Sequence, residues 1–93
     1  MTIRQKAIEV LRVCASGDVK QPEYCSTSGA TQELGYKWEV GEYAYQAWCR
    51  VHTYAEKRHL YYDPRELYAE AAEMLVNDED GELYLINEER HEA

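Results

Sequence analysis

Apolar residues recur every three to four positions from Ile3 to Cys14, alternate with polar ones from Leu34 to Val40, and return to helical spacing twice more. The first stretch reads as a helix. Thr2 with Gln5 three residues on forms a capping box, and Ile3, Ala7, Ile8, Val10, Leu11 and Cys14 make one apolar stripe. Ser16-Gly17 offers a left-handed stop. Residues 17–32, rich in Gly, Ser, Thr and Asp and holding Pro22, predict an irregular loop. Leu34, Tyr36, Trp38 and Val40 against Gly35, Lys37 and Glu39 have the period of two of a half-buried strand, ended by Gly41.

Residues 42–59 predict a second helix. Its stripe is Ala44, Ala47, Trp48, Val51 and Ala55, bordered by Tyr43, Tyr45 and Tyr54, with Trp48 as the expected anchor of the core. Asp63-Pro64-Arg65-Glu66 then gives the sharpest start signal in the chain: Asp63 caps, Pro64 presets the first helical φ, and Glu66 completes the box. This third helix runs to about Val76 and buries Leu67, Ala71, Met74 and Leu75. Residues 77–81 read as a turn and 82–87 as a second strand, whose best partner is 34–40 because a lone strand is unstable. The expected fold is therefore α+β, three helices packed on a short two-stranded sheet in the order α-β-α-α-β. It occupies residues 1–87 as a single compact domain, with 88–93 as a flexible acidic tail. The alternative is a mostly α fold with a C-terminal hairpin pairing 74–76 with 82–86 about Asp80-Gly81.

Ninety-three residues suffice for one domain and not for two. The aromatic balance adds something the periodicity does not: nine Tyr, two Trp and no Phe. A tyrosine hydroxyl needs water or a partner, so such rings favour the rim of a core or an interface. Charge adds more. Residues 1–62 hold eight Lys/Arg against seven Asp/Glu, a net of +1, whereas 63–93 hold two against eleven, a net of −9. A patch of that sign repels nucleic acid and anionic membrane and attracts a basic protein surface, including one that ordinarily holds DNA or RNA. The opposing interpretation is a solvated face that only keeps the protein soluble. Neither an apolar signal segment nor a stretch long enough to span a membrane is apparent, and three scattered cysteines fit a reducing compartment, so a cytoplasmic location is expected.

Candidate chemistry follows from these positions. Glu66, Glu70 and Glu73 fall at i, i+4 and i+7 on one helical face with no Lys between them, and Asp78, Glu79, Asp80 and Glu82 carry the negative surface beyond the helix end. Asp78-Glu79-Asp80 lacks the twelve-residue loop of an EF-hand calcium site. Tyr61 and Tyr62, adjacent between two helices, cannot both face the core, so one is expected at an interface. Cys49 and His52, three apart, could be joined by Cys14 or Cys25 in a zinc site, but the second short-spaced ligand pair of a zinc module is missing, and His52 can pair with Glu56 instead. A Cys25 nucleophile with His52 or His59 has no supporting motif. The chain has no phosphate loop, nucleophile elbow or paired catalytic carboxylates, so neither catalysis nor a cofactor is expected. The one basic cluster, Lys57-Arg58-His59, suits a helix C-terminus better than nucleic acid.

In composition the chain resembles the small acidic proteins that viruses use to inhibit host machinery, anti-restriction and anti-CRISPR proteins included. The resemblance implies an inhibitor or adaptor that docks its acidic C-terminal part on a basic, nucleic-acid-binding surface of a partner complex, without itself binding nucleic acid or membrane; it carries over no residue roles. The competing expectations are a domain that homodimerises through its Tyr/Trp surface, and a small zinc-stabilised domain.

Overall fold

The computed structural model describes residues 2–16, 26–58, 64–79 and Gly81. Four helices make up these segments: α1 (Ile3–Ser16), α2 (Ser26–Glu33), α3 (Trp38–Lys57) and α4 (Pro64–Asn77). Among the described residues there is no strand, so the α+β expectation gives way to an all-helical fold. The 82–87 segment expected to pair with 34–40 lies outside the described residues. So do Asp63 and the 88–93 tail. The hairpin alternative also fails, because Met74, Leu75 and Val76 lie in the last turn of α4.

α1 starts where the capping box places it. The Thr2 amide donates to Gln5 Oε1 at 2.8 Å and the Gln5 amide to Thr2 Oγ1 at 3.1 Å, satisfying two N–H groups that the helix itself leaves unpaired. The stripe Ala7, Val10, Leu11 and Cys14 is buried as its spacing requires. α1 packs most heavily on α4, while α3 touches all three of the other helices. The core is one cluster in which these helices meet.

The stretch 34–40 has a different origin from the strand it resembles. Leu34-Gly35 is the turn after α2, with Gly35 at φ +74°, a left-handed conformation that favours glycine. The Gly35 amide donates to the Gln32 carbonyl and the Tyr36 amide to the Thr31 carbonyl, which is the paired bonding of a Schellman stop. Lys37 is extended at φ −73°, ψ 158° and precedes the first turn of α3. The apparent alternation is the corner of a helix–turn–helix: Leu34 and Tyr36 pack against the core, Val40 is buried, and Trp38 stands 66 % exposed. Gly41, expected to end a strand, lies inside α3.

α2, all but its last residue Glu33, falls within the loop predicted over 17–32. Its sequence, STSGATQE, is poor in helix formers, so tertiary packing holds it. Thr27, Ala30 and Thr31 are buried, and the Thr31 hydroxyl donates back to the Thr27 carbonyl at 2.5 Å, satisfying a polar group inside the core. Opposite stands Gly41 of α3, where an added Cβ would lie 2.6 Å from Thr31 Oγ1. The absence of a side chain at 41 lets α2 and α3 approach. The large anchor of the core is Tyr43, 1 % exposed, and not Trp48, which is half-buried at the core's edge. Among the described residues no helix is long and apolar enough to cross a membrane.

The Gly41 contact has a direct test. Gly41→Ala improves intrinsic helix propensity by about 1 kcal/mol, yet overpacking at Thr31 should outweigh this and give a net loss of about 1–2 kcal/mol in urea denaturation. Thr31→Ala in the same chain should recover part of that loss, so a double-mutant cycle should return a favourable coupling.

Candidate functional site

α4 is amphipathic, and its buried side decides what its other side shows. Leu67, Ala71, Ala72 and Leu75 are buried against the core, with Tyr68 and Met74 half-buried beside them. Helical spacing then turns Glu66, Glu70 and Glu73 outward together, and all three are exposed. Neighbours in this row stand roughly 6 Å apart, and the row runs about 10 Å along the helix. No ion pair among the described residues engages any of them; the His52–Glu56 contact, ionic only with a protonated imidazole, lies on α3. Glu66 gains from the α4 N-terminus, whereas Glu70 and Glu73 have no such compensation. The row therefore keeps its charge available to solvent or to a partner.

The other acidic positions divide. Glu79 is exposed, and Asp80 and Glu82 lie outside the described residues. Asp78 has an internal role: its carboxylate accepts the hydroxyl of the buried Tyr43 at 2.6 Å. Arg4 of α1 reaches the same corner, its guanidinium 3.5 Å from the Val76 carbonyl. Burial pushes the ionisation of Tyr43 far above the usual tyrosine value, and the bond to Asp78 and its negative charge push it further, with Arg4 opposing. Midway along α1, the Tyr36 hydroxyl donates to Glu9 at 2.5 Å, and this bond is the main cause raising the Tyr36 ionisation.

Beside the acidic row, α3 and α4 leave an open groove of about 660 Å³. Arg50, Val51 and Tyr54 form one wall, and Glu70, Glu73, Met74, Asn77 and Asp78 the other. Two members of the row thus serve as its rim. The sequence pattern singled out Glu70, Glu73 and Asp78 but not Arg50, Tyr54 or Met74 as site residues, because only the pairing of α3 with α4 brings them together.

Tyr61 and Tyr62 lie outside the described residues, as do Cys25 and His59. The exposed aromatic rings that are described are instead Trp38, Tyr45 and Tyr54. Trp48 stacks with Tyr45, His52 and Tyr68 at centroid distances of 6.0, 4.8 and 5.9 Å, joining α3 to α4. His52 Nδ1 lies 3.5 Å from Glu56 Oε1, so its described contacts are a ring and a carboxylate. Cys14 is buried in the core and Cys49 half-buried on α3. Among the described residues no group of three or more His, Cys, Asp or Glu is placed to hold a metal ion. Comparison of the chain with protein-family models, with curated proteins and with solved structures gives no match.

The Tyr43–Asp78 contact sets a pH dependence. A folded-state tyrosine whose ionisation is raised contributes stability that is complete below about pH 10, where the unfolded residue begins to ionise, and is lost as pH rises toward the folded value. Tyr43→Phe should cost about 1–2 kcal/mol at neutral pH through the missing hydrogen bond. Thermal melts taken at increasing pH should show the gap between the two proteins narrowing above about pH 10, since the variant has no such contribution to lose.

Proposed function

We propose that this chain is a macromolecule-binding protein without catalytic activity, an inhibitor or adaptor that acts in the cytoplasm by presenting the α4 carboxylates to a basic, nucleic-acid-binding surface of a partner complex. The observation that carries this reading is the row Glu66, Glu70 and Glu73, exposed on one face and unpaired with any cation among the described residues. Like charges at that spacing disfavour the isolated helix by a few tenths of a kcal/mol per pair. A partner that neutralises them relieves this repulsion. The roughly 6 Å step between neighbours is close to the step between phosphates along one nucleic-acid strand, so lysines and arginines arranged for a phosphate backbone meet carboxylates in a compatible order. Such binding blocks nucleic acid sterically and by charge, with no reaction at the interface.

The residues beneath the row support a rigid presentation. Leu67, Ala71 and Leu75 anchor α4 to the core, so the row is displayed by a packed helix whose geometry changes little on binding. Association should be fast at low salt and slow as salt rises, as for other electrostatically steered encounters.

The test is charge reversal. The triple substitution Glu66→Lys, Glu70→Lys, Glu73→Lys changes only exposed positions, so circular dichroism should match the parent and the melting temperature should fall by only a few degrees, the cost of a cation at the α4 N-terminus. Its affinity for the partner captured by the parent chain from the native host lysate should fall by about 3 kcal/mol, on the order of a hundredfold. Unchanged capture of the same partner by the folded triple variant would overturn the proposal.

A further inference from the structure

The groove between α3 and α4 offers something a flat acidic face does not, a place for an apolar anchor. Val51 and Met74 are half-buried on its floor, and Tyr54 is 53 % exposed at its edge, with Arg58 over its ring at 5.0 Å. The charges around this floor are unequal: Glu70, Glu73 and Asp78 lie on the α4 side, against Arg50 and, at the edge over Tyr54, Arg58 on the α3 side. From Glu70 to Asn77 the α4 wall runs about 10 Å, two helical turns.

We infer that this groove receives a basic amphipathic helix from a protein partner. One apolar side chain of that helix seats on Val51, Tyr54 and Met74, while Lys or Arg heads lie against Glu70 and Glu73. The inference rests on the reading of the α4 row as the docking face and specifies the kind of segment that docks there. Three features select this occupant. The excess of carboxylates favours a cationic segment over nucleic acid, which the same charges repel. The apolar floor discriminates between a basic segment that carries an anchor and one that is only charged, since buried apolar area adds affinity that salt does not screen. Two turns of wall match the i and i+4 contacts through which amphipathic helices engage grooves, and the unbranched thioether of Met74 adapts to anchors of different shape. Arg50 on the opposite rim makes the groove asymmetric, so a bound helix has one favoured rotation about its axis, cations toward α4.

The experiment uses the full chain, isotopically labelled, titrated by NMR with two synthetic helical peptides of equal positive charge, one alternating Lys and Leu faces and one with every Leu replaced by Ser. The Lys/Leu peptide should bind about tenfold or more tightly than its Lys/Ser counterpart, and its shifts should centre on Val51, Tyr54, Met74 and Asn77. Tyr54→Ala, at an exposed position that leaves the core intact, should remove most of that tenfold preference while leaving Lys/Ser binding unchanged; Met74→Gln should do the same and guards against a Tyr54-specific effect. Equal affinities with shifts confined to Glu66, Glu70 and Glu73 would overturn the groove and leave the acidic face standing as a purely electrostatic dock. Binding of neither peptide would overturn the groove, with the triple charge reversal still judging the acidic face separately. Concentration-dependent shifts at the groove residues without peptide would assign it to a second copy of the chain and equally overturn the proposal.

Discussion

A tyrosine hydroxyl carried into the interior must find an acceptor, and Tyr43 finds one in Asp78, just past the end of α4. That bond, with the burial of Leu67, Ala71 and Leu75, fixes how far α4 slides along α3. A ring in the middle of the core is thereby tied to a carboxylate at the surface, and Arg4 of α1 closes the same corner at the Val76 carbonyl. With α4 fixed in register, the direction in which Glu66, Glu70 and Glu73 point is fixed as well. So is the line along which Met74 meets Val51 to leave a groove. The candidate surface thus depends on apolar packing and on how one buried polar group is satisfied.

α1 and α4 were readable from sequence because their signals are local. Each is announced in the sequence by a capping-box pattern, Thr2 with Gln5 and Asp63 with Glu66, followed by an apolar stripe of correct period, and both kinds of information lie within a few residues. α3 was legible from residue 42 onward as well, but the stretch 26–40 was not readable, for two distinct physical reasons. Over 34–40, a left-handed glycine and an extended lysine happen to space four apolar residues at intervals of two, so a helix–turn–helix corner imitates a strand. Over 26–33, the residues have little intrinsic preference for helix, and they are held by burying Thr27, Ala30 and Thr31 against a core whose nearest approach is at Gly41, eight residues past the end of α2. Long-range packing of that kind leaves no trace in local periodicity.

The site divides along the same line. The acidic row was evident because a helical face can be drawn from spacing alone, and its exposure follows once Leu67, Ala71 and Leu75 are known to be buried. Asp78 looked like a further member of the charged surface, but its proximity to Tyr43 depends on two helices meeting. Arg50, Tyr54 and Met74 carried no signal of their own. Each is an ordinary helical residue until α3 and α4 lie side by side.

Half of the apolar residues that are buried among those described are alanines, seven of fourteen, and they line the contacts between helices. Helices that meet through alanine and glycine sit close together and leave no slack between backbones. An inward position enlarged by even one methyl group must push a neighbouring helix or strain its own side chain. Sequence change in such a molecule is therefore channelled outward. The interior has almost no room for drift, whereas the exposed faces of α3 and α4 can be rewritten residue by residue without disturbing it. A scaffold with that division can pursue a changing partner by altering its surface while its architecture stays constant.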